Sequence, residues 1–310
     1  NWEISNIFFK NIFDLNIQLD LPSDFLGSLL TLSFKQFIQN NFDILPMLAS
    51  VANRYEGFPI VEFHQIVQAN FETMKPEEVG NVISVYYKYI LNNFLTEDKL
   101  PLINDIMKLS FKALELCATF SIPPNPIRLF SILSQNSIKF NDQTISQFYP
   151  IFIDIFNTES QSEFYQSTIY ESILFLIRII VLFPEIHFPF DSFFPKLFDL
   201  LPPQLKFRSN SEIYMYITKL PTSPHFSKMA PYFGSLFGAL IRTIALDDYE
   251  LANIGIDSRI ASNISHFAFQ MYRNNGSNDE LIQTILQGDL KKIEIITNRF
   301  GLLIHNSHLK

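Results

Sequence analysis

Phe148-Tyr149-Pro150-Ile151-Phe152 sets two bulky or apolar residues before a proline and an apolar stripe after it. The same order returns at Ile44-Leu45-Pro46-Met47-Leu48, Lys99-Leu100-Pro101-Leu102-Ile103, Phe193-Phe194-Pro195-Lys196-Leu197 and Met229-Ala230-Pro231-Tyr232-Phe233. Successive prolines lie 55, 49, 45 and 36 residues apart. Proline has a fixed φ and no N–H, which a first helical turn tolerates, so each pentad is expected to open a helix. Further helical stripes follow before the next proline. A period near 40–47 residues is that of a two-helix repeat of HEAT or armadillo type. The predicted fold is therefore all-α, a HEAT/armadillo-like α-solenoid of stacked antiparallel helical hairpins. A helical bundle is the competing arrangement, because proline opens helices in any all-α protein.

Outward from these pentads the hydrophobic period stays helical. Leu26, Leu29, Leu30, Phe34, Phe37 and Ile38 share one helix face, as do Val79, Val82, Ile83, Tyr86, Ile90 and Phe94. Phe226, Met229, Tyr232, Phe233, Leu236, Phe237, Leu240 and Ile244 form a wider stripe. No alternating run bounded by turn residues predicts a strand. Ser209 with Glu212, and Ser277 with Glu280, have capping-box spacing. About 13 helices, mostly 10 to 22 residues long, are expected. The clearest break is Ile122-Pro123-Pro124-Asn125-Pro126. It divides helical repeats at 1–121 from repeats at 127–310, with 122–126 as an irregular proline-rich turn.

Composition narrows the function classes. The chain has 310 residues, 47% hydrophobic and 17% charged, which excludes disorder as the main state. That length calls for two domains or one elongated array. There are 33 phenylalanines and only 9 glycines, which disfavours dinucleotide-binding and β-sandwich folds that need glycine at turns. The formal charge of −8 argues against direct nucleic-acid binding, since phosphate contacts need a surplus of Lys and Arg. The most apolar run, Ile173 to Phe183, is interrupted by Arg178 and falls short of a membrane span, so no membrane insertion is expected. No signal peptide is visible at the first residue, Asn1.

No reaction is legible. The single cysteine, Cys117, falls in an apolar stripe with Met107, Leu114 and Phe120 and reads as buried. The histidines His64, His187, His225, His266, His305 and His308 show no metal-ligand spacing beyond the pair 305/308. Phosphate-cradling glycine motifs are absent from the sequence. Gly234 and Gly238 are expected to let helices approach closely. No enzyme activity, cofactor or metal is predicted. Asp247, Asp248 and Glu250 read either as a solvated helix cap or as a contact for a basic partner.

From Gln147 to Arg299 the chain resembles the C-terminal half of an importin-β-type karyopherin, in the branch that imports ribosomal proteins and histones. The pentad at 148–152 is followed by Glu171-Ser172 and then Arg178, seven places after the Glu. Phe193-Phe194-Pro195-Lys196-Leu197-Phe198-Asp199-Leu200-Leu201-Pro202 keeps the family's spacing of seven between prolines. Glu212 to Leu220 and Ala230-Pro231-Tyr232-Phe233 match later helices. The family's tryptophans are missing from the 193–202 segment, and Gln204-Leu205-Lys206 stands where an acidic residue is usual.

The resemblance implies a nuclear transport receptor fragment that shuttles between cytoplasm and nucleus. Basic protein cargo would sit on its concave face, with the GTPase Ran and phenylalanine-glycine nucleoporins as further partners. It would act as a monomer. The acidic charge suits basic cargo, and Glu171, Glu212, Asp247, Asp248 and Glu250 are the candidate contacts. The alternative function is a HEAT-repeat scaffold or adaptor subunit with no role in transport.

Overall fold

The computed structural model describes residues 23–39, 41–55, 57–93, 99–135, 140, 142–158, 163–274 and 276–307. Among them every regular element is helical. The chain forms two compact units, 1–139 and 140–310.

In the first unit α1 (Ser23–Ile38), α2 (Leu45–Ala52), α3 (Ile60–Asn70), α4 (Pro76–Asn92), α5 (Leu100–Ala118) and α6 (Asn125–Gln135) follow in order. Contacts skip a neighbour: α2 packs on α4 and α4 on α6, while α5 packs on both α4 and α6. Apolar period explains this, because the α4 residues Val79, Val82, Ile83, Tyr86 and Ile90 are all buried. Phe37 stacks on Phe63 at 4.9 Å, and Tyr86 meets Phe63 edge-on at 5.4 Å. The proline-rich turn at 122–126 lies inside this unit. Ile122 is fully buried against Gly80, where an added Cβ would come within 3.2 Å of the Ile122 Cβ. The Asn125 amide donates to Ser84 Oγ at 2.6 Å. The division between units falls between Lys139 and Phe140, downstream of that turn.

The second unit holds α7 (Asp142–Ser146), α8 (Phe148–Asn157), α9 (Glu163–Leu182), α10 (Phe190–Asp199), α11 (Arg208–Ile217), α12 (Phe233–Ile244), α13 (Asp248–Asn253), α14 (Ser258–Asn274), α15 (Asp279–Ile285) and α16 (Leu290–Ser307). Two rows of contacts run through it, one from α8 to α10 to α12 to α16, the other from α9 to α11 to α14. Phenylalanine fills the space within and between them. Phe148, Phe152 and Phe175 form one cluster across α8 and α9, and Phe188, Phe193, Phe194 and Phe198 form another. Helix α9 is long and apolar enough to cross a membrane by length and composition, but 72% of its 18-residue apolar window is buried inside the fold. It is the central helix of this unit, and its polar Thr168, Glu171, Ser172 and Arg178 are buried with it.

Several local expectations shift. Sixteen α-helices lie among the described residues, and the surplus over thirteen comes from short ones such as α7, α13 and α15. Pro46 and Pro101 sit in the first turn of α2 and α5, and Pro150 is the third residue of α8. Pro195 instead lies inside α10, which begins at Phe190, and Pro231 lies in a 3₁₀ turn ahead of α12. Ser209 is buried inside α11 and caps nothing, because Phe207 takes the N-cap position. At 277–280 the cap moves one residue on, where Asn278 accepts from the Leu281 amide at 3.1 Å.

One buried polar pair is expected to make the first unit sensitive to pH. His64 Nδ1 lies 2.9 Å from the Tyr86 hydroxyl, both groups are buried, and His64 Nε2 has no partner. Burial lowers the His64 pKa from its ordinary 6.5, while Asp105 acts weakly the other way. As pH falls below 6.5 toward that lower folded value, the unfolded chain takes up a proton that the folded chain does not. Stability is therefore retained above this window and lost on descending through it. Urea midpoints measured from pH 7.5 to 5 should fall more steeply for the wild type than for His64→Gln. Parallel curves would exclude a neutral buried imidazole as the cause.

Candidate functional site

Helices α9 and α11 meet along faces that carry Arg178 and Glu212. Arg178 is 4% exposed, and its guanidinium donates to Glu212 Oε2. It also lies 5.3 Å from the centre of the Tyr216 ring, which Lys219 Nζ approaches at 4.9 Å. Glu171, one turn after Thr168 on α9, is buried at 6% exposure. Two of the five expected cargo contacts thus lie in or beside the helix packing. Residues 168–180 of α9 are all buried, and Glu212 pairs with the arginine buried there.

The other three lie together at the start of α13. Asp247 is its N-cap: the Glu250 amide donates to Asp247 Oδ1 at 2.9 Å, and the Asp247 amide donates to Glu250 Oε2 at 2.8 Å. That reciprocal pair satisfies two backbone donors that a helix start leaves open. The Glu250 amide, helped by Lys291 at 3.6 Å, holds the Asp247 carboxyl below the ordinary carboxylate range. Asp248 pairs with Arg299 at 2.9 Å, and Arg299 also donates to the Ile244 carbonyl at 2.8 Å. These contacts tie α12, α13 and α16 together.

Glu250 has a second neighbourhood. A cleft of about 640 Å³ opens between the first half of α9, the α10–α11 loop and the α12–α13 corner. Tyr165, Tyr170, Asp199, Arg242 and Asn253 line it together with Glu250. Arg242 donates to the Phe198 carbonyl at 2.8 Å and to the Leu201 carbonyl at 3.2 Å, and the Tyr170 hydroxyl donates to the Leu200 carbonyl at 3.2 Å. Sequence reasoning named only Glu250 among these. The single sequence signal for the rest was the 193–202 segment, which places a helix end next to two prolines but does not show what faces it.

Other sequence candidates resolve simply. Cys117 is fully buried, its thiol lies 3.6 Å from the Pro123 carbonyl, and burial pushes its pKa up. A thiol held protonated in this way is a poor nucleophile. His305 is exposed near the end of α16, and His308 lies outside the described residues. No group of three or more metal-ligating side chains is found among the described residues. An added Cβ at Gly234 would meet no atom within 4 Å, so the expected close helix approach does not occur there. The arrangement as a whole suits binding through a polar-rimmed cleft.

Comparison with protein-family models, with curated proteins and with solved structures returns no match for this chain.

The two arginine pairs differ in burial, and their losses should differ accordingly. Glu212→Ala leaves the Arg178 guanidinium buried without its carboxylate and is expected to destabilise the second unit by about 1.5–3 kcal/mol. Asp248→Ala, whose carboxylate is 98% exposed, should change stability by no more than about 1 kcal/mol. Urea unfolding of the two variants checks the ranking.

Proposed function

We propose that this chain is an α-solenoid scaffold that binds basic protein segments. The observation that supports the stacked-repeat reading best is the spacing of its cross-helix hydrogen bonds. Asn125 reaches Ser84 across 41 residues, Asn210 reaches the Ile254 carbonyl across 44, Ser223 reaches the Ile180 carbonyl across 43, and Arg242 reaches the Leu201 carbonyl across 41. Equivalent positions of successive two-helix repeats would be separated by about this much. Within each unit the helices also pack on next-but-one neighbours. A hairpin that cannot bury its own apolar face is stabilised by that kind of stacking.

The formal charge of −8 favours basic partners through long-range attraction. Function as a nuclear transport receptor, with Ran in its GTP form and phenylalanine-glycine repeats as partners and with shuttling between cytoplasm and nucleus, is the specialised form of this reading. It rests on the resemblance of residues 147–299 alone. A scaffold or adaptor role needs only the fold and the charge.

A pull-down separates the two. Immobilised protein should retain a basic protein such as lysozyme at 50 mM salt and lose most of it at 300 mM. Selective retention of Ran·GTP over Ran·GDP, together with phenylalanine-glycine repeats, would support the transport role. Retention of the basic protein without either leaves an adaptor. Failure to hold any basic protein at low salt overturns the reading.

A further inference from the structure

Asp199 is the last residue of α10. A carboxylate is disfavoured at that end of a helix, where unpaired carbonyls carry partial negative charge. Asp199 makes no ion pair with any described residue. It lines the cleft together with Glu250, whose Oε2 is occupied by the Asp247 amide and whose other oxygen has no hydrogen bond among the described residues. The carbonyls beside Asp199 already attract a cation: Arg242 of the same chain spans Phe198 O and Leu201 O. That arginine, which also lines the cleft, is taken up by neutral carbonyls and makes no ion pair with either carboxylate among the described residues.

The remaining lining suits the stem of a long basic side chain. Tyr165, Leu200, Pro202 and Leu246 line it half-buried, with Tyr170 and Ile254 buried behind them. Lys and Arg lay their methylenes on such surface while the charged head stays with carboxylates or over an aromatic ring. A volume of about 640 Å³ is in the range of clefts that hold a short ligand segment.

We propose that this cleft seats an extended segment of a partner protein and receives a lysine or arginine side chain at Asp199 and Glu250. The proposal deepens the scaffold reading and rests on it, by naming where a basic segment docks. It also explains a carboxylate placed against its own helix end, an arrangement that a bound cation would relieve.

The test uses fluorescein-labelled nine-residue Gly-Ser peptides that carry two lysines, two glutamines or two glutamates. Binding to the 310-residue chain is followed by anisotropy at 50 mM salt. The lysine peptide is expected to bind about two- to fivefold tighter than the glutamine peptide, the worth of one exposed ion pair. Asp199→Lys should abolish that preference while leaving the thermal midpoint unchanged or raised, because a cation suits a helix C-terminus. Glu280→Lys makes the same charge change on exposed α15, outside the cleft, and should keep most of the preference. Equal binding of the lysine and glutamine peptides, tighter binding of the glutamate peptide, or equal losses in the two variants would each overturn the proposal. Retention of lysozyme without any lysine preference would remove the cleft and leave the scaffold; the reverse result would keep the cleft and remove the scaffold.

Discussion

Phenylalanine rings packed between one helix and the next-but-one hold each unit together. A single helix of this chain presents more apolar surface than one neighbour can cover. Phe193 touches Tyr149 and Phe156 of α8 as well as Phe188, and Phe194 reaches both Phe190 and Tyr232. Each ring buries a large area through few rotatable bonds, and offset or edge-on contacts add a little more. The polar features follow from this arrangement. Where α9 is buried, its Arg178 has to carry a carboxylate partner, and its Ser172 hydroxyl has to turn back to the Thr168 carbonyl at 2.7 Å.

The same constraint explains the division of labour among acidic groups. Glu212 neutralises a buried guanidinium, Asp247 and Glu250 close a helix start, and Asp248 fastens α16 to the α12–α13 corner. These are jobs of assembly. Asp199 makes no ion pair among the described residues, and it borders the cleft that Glu250 also lines. A carboxylate left without an ion pair among the described residues, at the helix end it opposes, is the kind of residue expected to serve a partner.

Side-chain bonds to carbonyls near helix ends recur where one helix pair meets the next. His225 meets the Phe183 carbonyl at 3.2 Å, Asn210 meets Leu205 and Ile254, and Arg299 meets Ile244. Apart from the local bond to Leu205, they join elements 42 to 55 residues apart and set the register between them. Apolar packing supplies most of the driving force, but it does not specify register as closely as these bonds do.

The amino-acid order alone determined that this chain is helical, where its apolar stripes run, and that Cys117 is buried, because a period of 3.6 residues is a local property. It also marked Asp247 and Glu250 as a helix start, since a reciprocal cap spans only three residues. It misplaced the Ser209 cap and the position of Pro195 within α10, because a helix can begin a turn earlier once tertiary packing favours it. Which carboxylates are used up internally was decided only by the tertiary structure. Arg178 and Glu212 are 34 residues apart and Asp248 and Arg299 are 51 apart. The cleft at Asp199 is likewise assembled from α9, α10, α12 and α13. Local periodicity carries no information about such pairings, which arise from how one packed helix pair is set against the next.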